Sequence, residues 1–313
     1  MTVIGIDCGG SHIACALLEE KKILGKEILA TDAGSFRQIL PVLASTVRTL
    51  GRRCGVPIQS CHGMGIGLPV IFEAATGRIL STLDKFPDIA GVDLSAWGQR
   101  ELGIPVRLEN DARLALLGER YAGAAAGADD VVMITLGTGI GGAAMLEGKL
   151  LQSRFGQAGS LGGHLTVNFK GRRCKCGGVG CAEAEASTSV LREICDGWPG
   201  FKESKLACER VLDFETVFRC KDAGDRVARE VLEHCIEVWS ALAASTIHAY
   251  GPELVLFGGA VMRRREDILE PIRHRVALRT WTTSHGMPRI DAAILGEDAA
   301  LFGAESLFER EAG

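Results

Sequence analysis

Apolar and polar positions along the chain follow two periods. Residues 2–6 are a short apolar run ending in Asp7-Cys8-Gly9-Gly10-Ser11, and apolar runs follow at 12–18 and 23–29, a pattern that predicts a strand, a glycine turn and two more strands. Phe36, Ile39, Leu40, Leu43, Val47 and Leu50 recur at helical spacing and predict a helix over 36–54 that covers a sheet face. Residues 63–69 read as a glycine-rich strand ending in a loop. A strand over 106–109 runs into Asn110-Asp111-Ala112, where Leu114, Leu117 and Tyr121 begin a helix. Residues 131–136 predict a buried strand entering Gly137-Thr138-Gly139-Ile140-Gly141-Gly142, with another strand over 143–146 and a turn at Glu147-Gly148-Lys149. Helices are expected over 183–194, 208–220 and 223–250, the last with Trp239 in its apolar face. A strand over 253–257 enters Gly258-Gly259, a final strand spans 290–295, and a helix over 298–308 closes the chain.

The two strand-then-glycine-turn units, at Asp7 and Gly137, suggest a duplicated architecture that grips phosphates between its halves. Gly137 to Gly142 superficially fits the glycines of a dinucleotide-binding fingerprint, but that fingerprint opens a helix and the residues here continue as a strand. With 313 residues, 47% of them hydrophobic, two packed domains are expected. The balance of 35 basic against 39 acidic side chains gives a net charge of −4, and the basic block Arg263-Arg264-Arg265 reads as a solvated helix face. No nucleic-acid partner is expected. No apolar run reaches the roughly 18 residues of a membrane span, and the chain opens on a strand with no signal peptide, so a cytoplasmic protein with reduced thiols is expected.

The densest chemistry lies between 158 and 185. Of the eleven cysteines, three fall at Cys174, Cys176 and Cys181, interleaved with Gly177, Gly178 and Gly180, and His164 precedes them. Three thiolates and one imidazole are the ligand set of a closed structural zinc site, and glycines let a short loop fold its sulfurs around one ion. Buried thiols are the plainer alternative, but a glycine-rich segment flanked by Lys and Arg is poorly suited to burial.

This H-x9-C-x-C-G-x2-G-C-x-E pattern resembles the signature of the ROK family, bacterial sugar kinases and sugar-responsive repressors, and the likeness extends over nearly the whole chain. D-C-G-G-S at Asp7 resembles the first phosphate motif, G-M-G-I-G-L-P around Gly67 the rim of the sugar site, L-E-N-D-A at Asn110-Asp111 the catalytic motif, L-G-T-G-I-G-G the second phosphate motif, and Gly258-Gly259 the adenosine-side motif. The resemblance implies a two-lobed α/β protein of the actin-like ATPase (ribonuclease H-like, hexokinase-type) fold with a central cleft. Residues 1–118 plus 298–313 would form the small lobe, and 119–297 the large one with the zinc loop. It implies ATP-dependent phosphorylation of a hexose, glucokinase-like, with another hexose, an N-acetylhexosamine or a sugar-binding pseudokinase as alternatives. A repressor would carry a DNA-binding domain ahead of the first motif, and only six residues precede Asp7.

Residue by residue, the likeness makes Asp111 the general base, and gives the sugar to Asn110, Asp111, His164, Glu183 and Gly67. It assigns Mg²⁺ to Asp7, phosphates to Gly9, Gly10, Ser11, Gly137, Thr138 and Gly139, the adenosine side to Gly258 and Gly259, and zinc to His164, Cys174, Cys176 and Cys181. A homodimer is usual in relatives. The chain departs from the pattern at three places. Arg113 replaces a second Asn of the catalytic motif, Lys85-Phe86-Pro87 stands where the family reads Asn-Leu-x-x-Trp, and Leu161 stands where a Glu precedes the zinc histidine by three residues. Without that carboxylate, affinity for plain glucose should be weaker than in Glu-bearing relatives or the preferred sugar should differ at C1 or C2, unless Glu185 or a water fills the gap.

Overall fold

A computed structural model describes residues 1–9, 12–30, 35–73, 76–82, 86–281 and 286–309. In chain order its elements are β1 (Thr2–Cys8), β2 (His12–Glu19), β3 (Lys22–Ala30), α1 (Phe36–Cys54), β4 (Met64–Leu68), β5 (Ile71–Phe72), β6 (Ile79–Ser81), α2 (Leu94–Leu102), β7 (Val106–Asn110) and α3 (Asp111–Ala122). They continue with β8 (Val131–Leu136), β9 (Ile140–Leu146), β10 (Lys149–Leu150), α4 (Ala182–Ala186), α5 (Leu191–Asp196), α6 (Phe214–Asp222), α7 (Arg226–Tyr250), β11 (Leu254–Gly258), α8 (Arg265–Arg279), β12 (Arg289–Ala292) and α9 (Ala299–Glu309).

Two compact units result, Met1–Ala128 with Leu150–Ser160 and Ile294–Gly313, and Asp129–Lys149 with Leu161–Ala293. This division differs from the expected one. The end of α3 and the turn after it stay with the first unit because buried Glu119 accepts the Ala124, Ile294 and Leu295 N–H groups at 2.7, 3.0 and 2.8 Å. Residues 150–160 stay with it because the Arg113 guanidinium takes up their carbonyls.

In the first unit the described residues form a sheet of order β3-β2-β1-β4-β7, antiparallel at β1/β2 and β2/β3 and parallel at β1/β4 and β4/β7. One face packs on α1 through Leu43, Val47 and Leu50, in a core with Ile4, Ile6, Met64 and Ile66. Ser35 caps α1 by accepting the Gln38 N–H, and Gly55 ends it in the left-handed region. The other face meets α9, whose Leu301 packs with Ala14, Ala16 and Leu18. Helices α3 and α9 cross at glycines: a β-carbon on Gly118 would overlap the Ala299 carbonyl oxygen, and one on Gly303 that of Leu114. Phe86, at the family-divergent loop, is a core residue stacked edge-on against Phe36. Its neighbour Lys85 lies outside the described residues.

The second unit repeats the arrangement. Its sheet runs β10-β9-β8-β11-β12, antiparallel at β8/β9 and parallel at β8/β11 and β11/β12. The β8/β9 hairpin is the feature that separates this turn from a dinucleotide fingerprint. Trp239 of α7 is fully buried and donates its indole N–H to the Ala186 carbonyl at 3.1 Å. Arg264 of the basic block pairs with Asp222 and Asp267.

Four elements depart from the sequence pattern. The helix expected over 183–194 breaks at Ser187, where the Thr188 and Ser189 N–H groups donate to the Gly137 and Thr138 carbonyls. Bonds to the turn replace bonds within a helix, a trade that Ser and Thr tolerate. Helix α6 starts at Phe214, six residues later than expected, because Asp213 caps it by accepting the Thr216 N–H. Helix α7 starts at Arg226 because Asp225 caps it. Strand β12 stops at Ala292 because Ile294 and Leu295 turn to Glu119.

Candidate active site

In the first unit the chemistry collects at the carboxyl ends of parallel strands, where open α/β sheets bind their ligands. Asp7 of β1 is paired with Gly67 of β4, and Gly67 with Glu109 of β7. A β-carbon on Gly67 would stand 3.0 Å from Leu114 Cδ2 and 3.5 Å from Asp7 Oδ1, which places this glycine beside that carboxylate. Asp7 and Asp111 both bear on the Cys8 thiol, which is pushed well up by burial first and then by Asp7, Cys15 and Asp111. The two carboxylates stand at strand ends on either side of β4, and their chemistry suits holding a cation and accepting a hydroxyl proton. Gly9 directly follows β1; Gly10 and Ser11 lie outside the described residues.

Asn110 and Asp111 sit at the β7–α3 junction. Asn110 is the α3 N-cap, its Oδ1 accepting the Ala112 and Arg113 N–H groups at 3.1 and 3.3 Å while its Nδ2 donates to the Val70 carbonyl at 3.4 Å. Its side chain therefore fills the N-cap role that an Asn at a strand-to-helix junction ordinarily takes. Asp111 is half-buried in the first turn of α3, its Oδ1 accepting the Ala112 N–H at 2.9 Å. A carboxylate at that end of a helix is stabilised by the aligned peptide dipoles.

Behind this pair lies a buried group that sequence reasoning missed. Glu109 accepts the Asn110 N–H at 2.8 Å and the Gln152 side-chain N–H at 2.8 Å, and faces Arg113 Nη1 at 3.6 Å. Burial pushes the Glu109 carboxyl up, against the pull of the Asn110 N–H and the Arg113 charge, and burial pulls the Arg113 guanidinium down. Each ion loses hydration that the other only partly restores. The signal available was positional: Arg113 lies one residue before Leu114 on a helix whose neighbours are apolar.

In the second unit Gly137, Thr138 and Gly139 make a tight turn between β8 and β9, closed by the Gly137 N–H on the Gly139 carbonyl at 3.0 Å. Glu183, half-buried in α4, accepts the Ile140 N–H at 3.0 Å, and any side chain at Gly139 would overlap its carboxylate. The turn, the break at Ser187 and α4 are thus one hydrogen-bonded unit. Gly258 ends β11, and Gly259, at φ 88° with its α-carbon hydrogen against the Leu136 carbonyl, admits no side chain.

His164, Cys174, Cys176 and Cys181 converge, their ligand atoms all within 4.8 Å of one another. His164 Nδ1 lies 3.5 Å from Cys174 Sγ, and Cys176 Sγ 3.6 Å from Cys181 Sγ. A tetrahedral zinc ion with bonds of about 2.3 Å to sulfur and about 2.0 Å to nitrogen sets its ligands about 3.5 to 3.8 Å apart, so the cluster fits that ion. As bare thiols the three are unequal: burial pushes Cys181 up to about 12 and Cys174 up, whereas the Gly178 N–H pulls Cys176 down. Glu185, the carboxylate considered for the gap left by Leu161, is already engaged. It is buried, accepting the Arg172 backbone N–H and pairing with the Arg172 guanidinium at 3.2 Å, and so braces the cysteine loop.

Comparison with known proteins agrees with this geometry. Residues 3–311 match the ROK family. The chain is 32% identical to a glucokinase of Thermotoga maritima, over 100% of this chain and 99% of that one. It is 30% identical to an N-acetylmannosamine kinase of Citrobacter koseri, over 98% of each. A ROK family glucokinase from Streptomyces griseus, solved in complex with glucose and AMPPNP, matches with a TM-score of 0.80 and 28% identity, covering 99% of this chain and 100% of that one.

Proposed function

The chain belongs to the ROK family, has the actin-like, hexokinase-type fold and is an ATP-dependent sugar kinase; from that premise we propose that Asp111 is the general base that takes the proton of the attacking sugar hydroxyl. The observation that carries the assignment is the placement of Asp111 at the carboxyl end of β7, beside the strand that bears Gly67 and one strand from Asp7. Phosphoryl transfer depends mainly on positioning and charge neutralisation, so one well-placed acceptor is all the base chemistry it requires. Asn110, Gly67, His164 and Glu183 hold the sugar. Asp7 holds the divalent metal that accompanies ATP. Gly9, Gly10, Ser11, Gly137, Thr138 and Gly139 line the phosphates, and Gly258 and Gly259 let adenosine approach the backbone.

Zinc belongs to the same reading. When bound by His164 Nδ1 and the three sulfurs, it supplies structural rigidity, fixing the loop from which His164 presents its other ring nitrogen. A cytoplasmic homodimer completes the proposal.

The test is ADP release over a panel of hexoses and N-acetylhexosamines. Asp111→Ala should lower turnover about 10²- to 10⁴-fold with the fold intact. Turnover within threefold of the unaltered enzyme would overturn the role of Asp111. A second reading, in which an N-acetylhexosamine is preferred to glucose, is favoured by Leu161 and by the commitment of Glu185 to Arg172. The same panel decides between them.

A further inference from the structure

Arg113 is 1% exposed, and its Nη2 donates to three backbone carbonyls, Leu151 at 3.1 Å, Gly156 at 3.0 Å and Ala158 at 2.6 Å. Two hydrogens serve three acceptors, so the amino group lies at a convergence point of the segment and not at one bond along it. On the other side of the guanidinium, Nη1 faces Glu109, the carboxylate that receives the Asn110 N–H and the Gln152 amide. Its Nε is buried with no hydrogen-bond partner among the described residues. A side chain placed for packing alone would not leave such an atom orphaned, and a buried ion pair contributes little net stability over apolar side chains of the same volume. What the pair does secure is geometry. Residues 151–158 contain no helix or strand, yet their carbonyls are fixed to the first turn of α3, two residues from Asp111. Ser160 continues the chain of contacts by donating its hydroxyl to the Gly156 carbonyl at 3.3 Å, the same oxygen that Arg113 grips, and to the Gln157 carbonyl at 3.1 Å.

We propose that Arg113 is a positioning residue for sugar selection: it locks residues 151–160 to the Asn110–Asp111 junction, so that the acceptor hydroxyl meets Asp111 in one orientation only. This deepens the functional reading above and rests on it. The mechanism is steric and geometric. A locked segment rejects epimers whose hydroxyls would require it to shift, whereas a loosened one accepts them, and an error of about 1 Å in the placement of reacting groups can lower a rate about 10²-fold.

The test compares Arg113→Lys and Arg113→Met with the unaltered enzyme. Lys keeps the buried charge opposite Glu109, but its ammonium ends short of the Nη2 position. For Arg113→Lys the KM for the best sugar should rise at least tenfold, with the KM for ATP within twofold. The ratio of kcat/KM between that sugar and its next-best epimer should shrink at least fivefold, and backbone hydrogen exchange should speed up in 151–158 while β8 and β9 are unchanged. Arg113→Met should do the same more strongly if it folds. Damage to folding alone would lower the active fraction and scale every sugar equally, leaving KM values and the ratio where they were, and that result would overturn the proposal. So would unchanged exchange in 151–158. If the unaltered enzyme transfers phosphate to no sugar, the functional reading and the selection role fall together, and the exchange data then decide separately whether Arg113 holds the segment.

Discussion

At the scale of single residues, position and burial separate two kinds of charged side chain that look alike in sequence. The convergence of His164, Cys174, Cys176 and Cys181 and the strand-end positions of Asp7 and Asp111 were legible because each adjoins glycines or follows an apolar run. Arg113, Glu109, Glu119 and Glu185 were not, since an isolated charge ordinarily marks a solvated position and only the fold shows these four to be buried. For Asn110 the sequence left two roles open, because an N-cap and a ligand-binding amide use the same residue type, and the structure shows the N-cap. For the cluster, Cys176→Ser should abolish stoichiometric zinc, which elemental analysis of the purified protein would report. The loop should then lose order locally, because apparent binding energies of structural zinc are on the order of 10 kcal/mol. Zinc-free protein with all three thiols freely titratable before any substitution would sink the assignment.

At the scale of elements, the sheet strands and α1 followed their periodicity closely, because burial on one or two faces dominates their sequence. The departures all lie where a side chain or turn captured backbone N–H groups from outside the pattern. Asp225 is the case with the clearest energetic consequence. It caps α7 by accepting the Ala228 N–H at 2.9 Å and also accepts the Lys205 N–H at 2.6 Å and the Ser204 hydroxyl, joining the two short 3-10 turns over 201–208 to α7. Burial works against its charge, but the Ala228 and Lys205 N–H donors and the Ser204 hydroxyl outweigh it and hold the carboxyl below the usual range. A carboxyl depressed in the folded state contributes stability that is fully present above its unfolded value of about 3.9 and is lost as pH falls through the folded value. Asp225→Ala should therefore cost about 2 kcal/mol in urea unfolding near neutral pH, the upper end for a helix cap. The difference between the two proteins should shrink below about pH 3.9, and a gap that stays constant to lower pH would contradict the role assigned to the charge.

At the scale of the whole molecule, the repeated sheet order of the two units was foreshadowed by the recurrence of a strand and glycine turn at Asp7 and Gly137, while the division of the chain was not, because it is set by Arg113 and Glu119 acting on distant segments. The crossing of α3 and α9 at Gly118 and Gly303 gives that division a direction in time. The first unit draws on residues near both ends of the chain, and on the α9 side of its sheet β1 and β2 lack their packing partner until Leu301 and its neighbours have been made. The second unit is complete at Ala293. On the ribosome, then, the portion encoded in the middle should mature before the portion encoded first, the reverse of the usual order in which amino-terminal domains lead. Proteolysis of nascent chains arrested at increasing lengths should show protection spreading over 161–293 before it reaches 1–128. Early protection of 1–128 would mean that the amino-terminal strands hold together without their last helix.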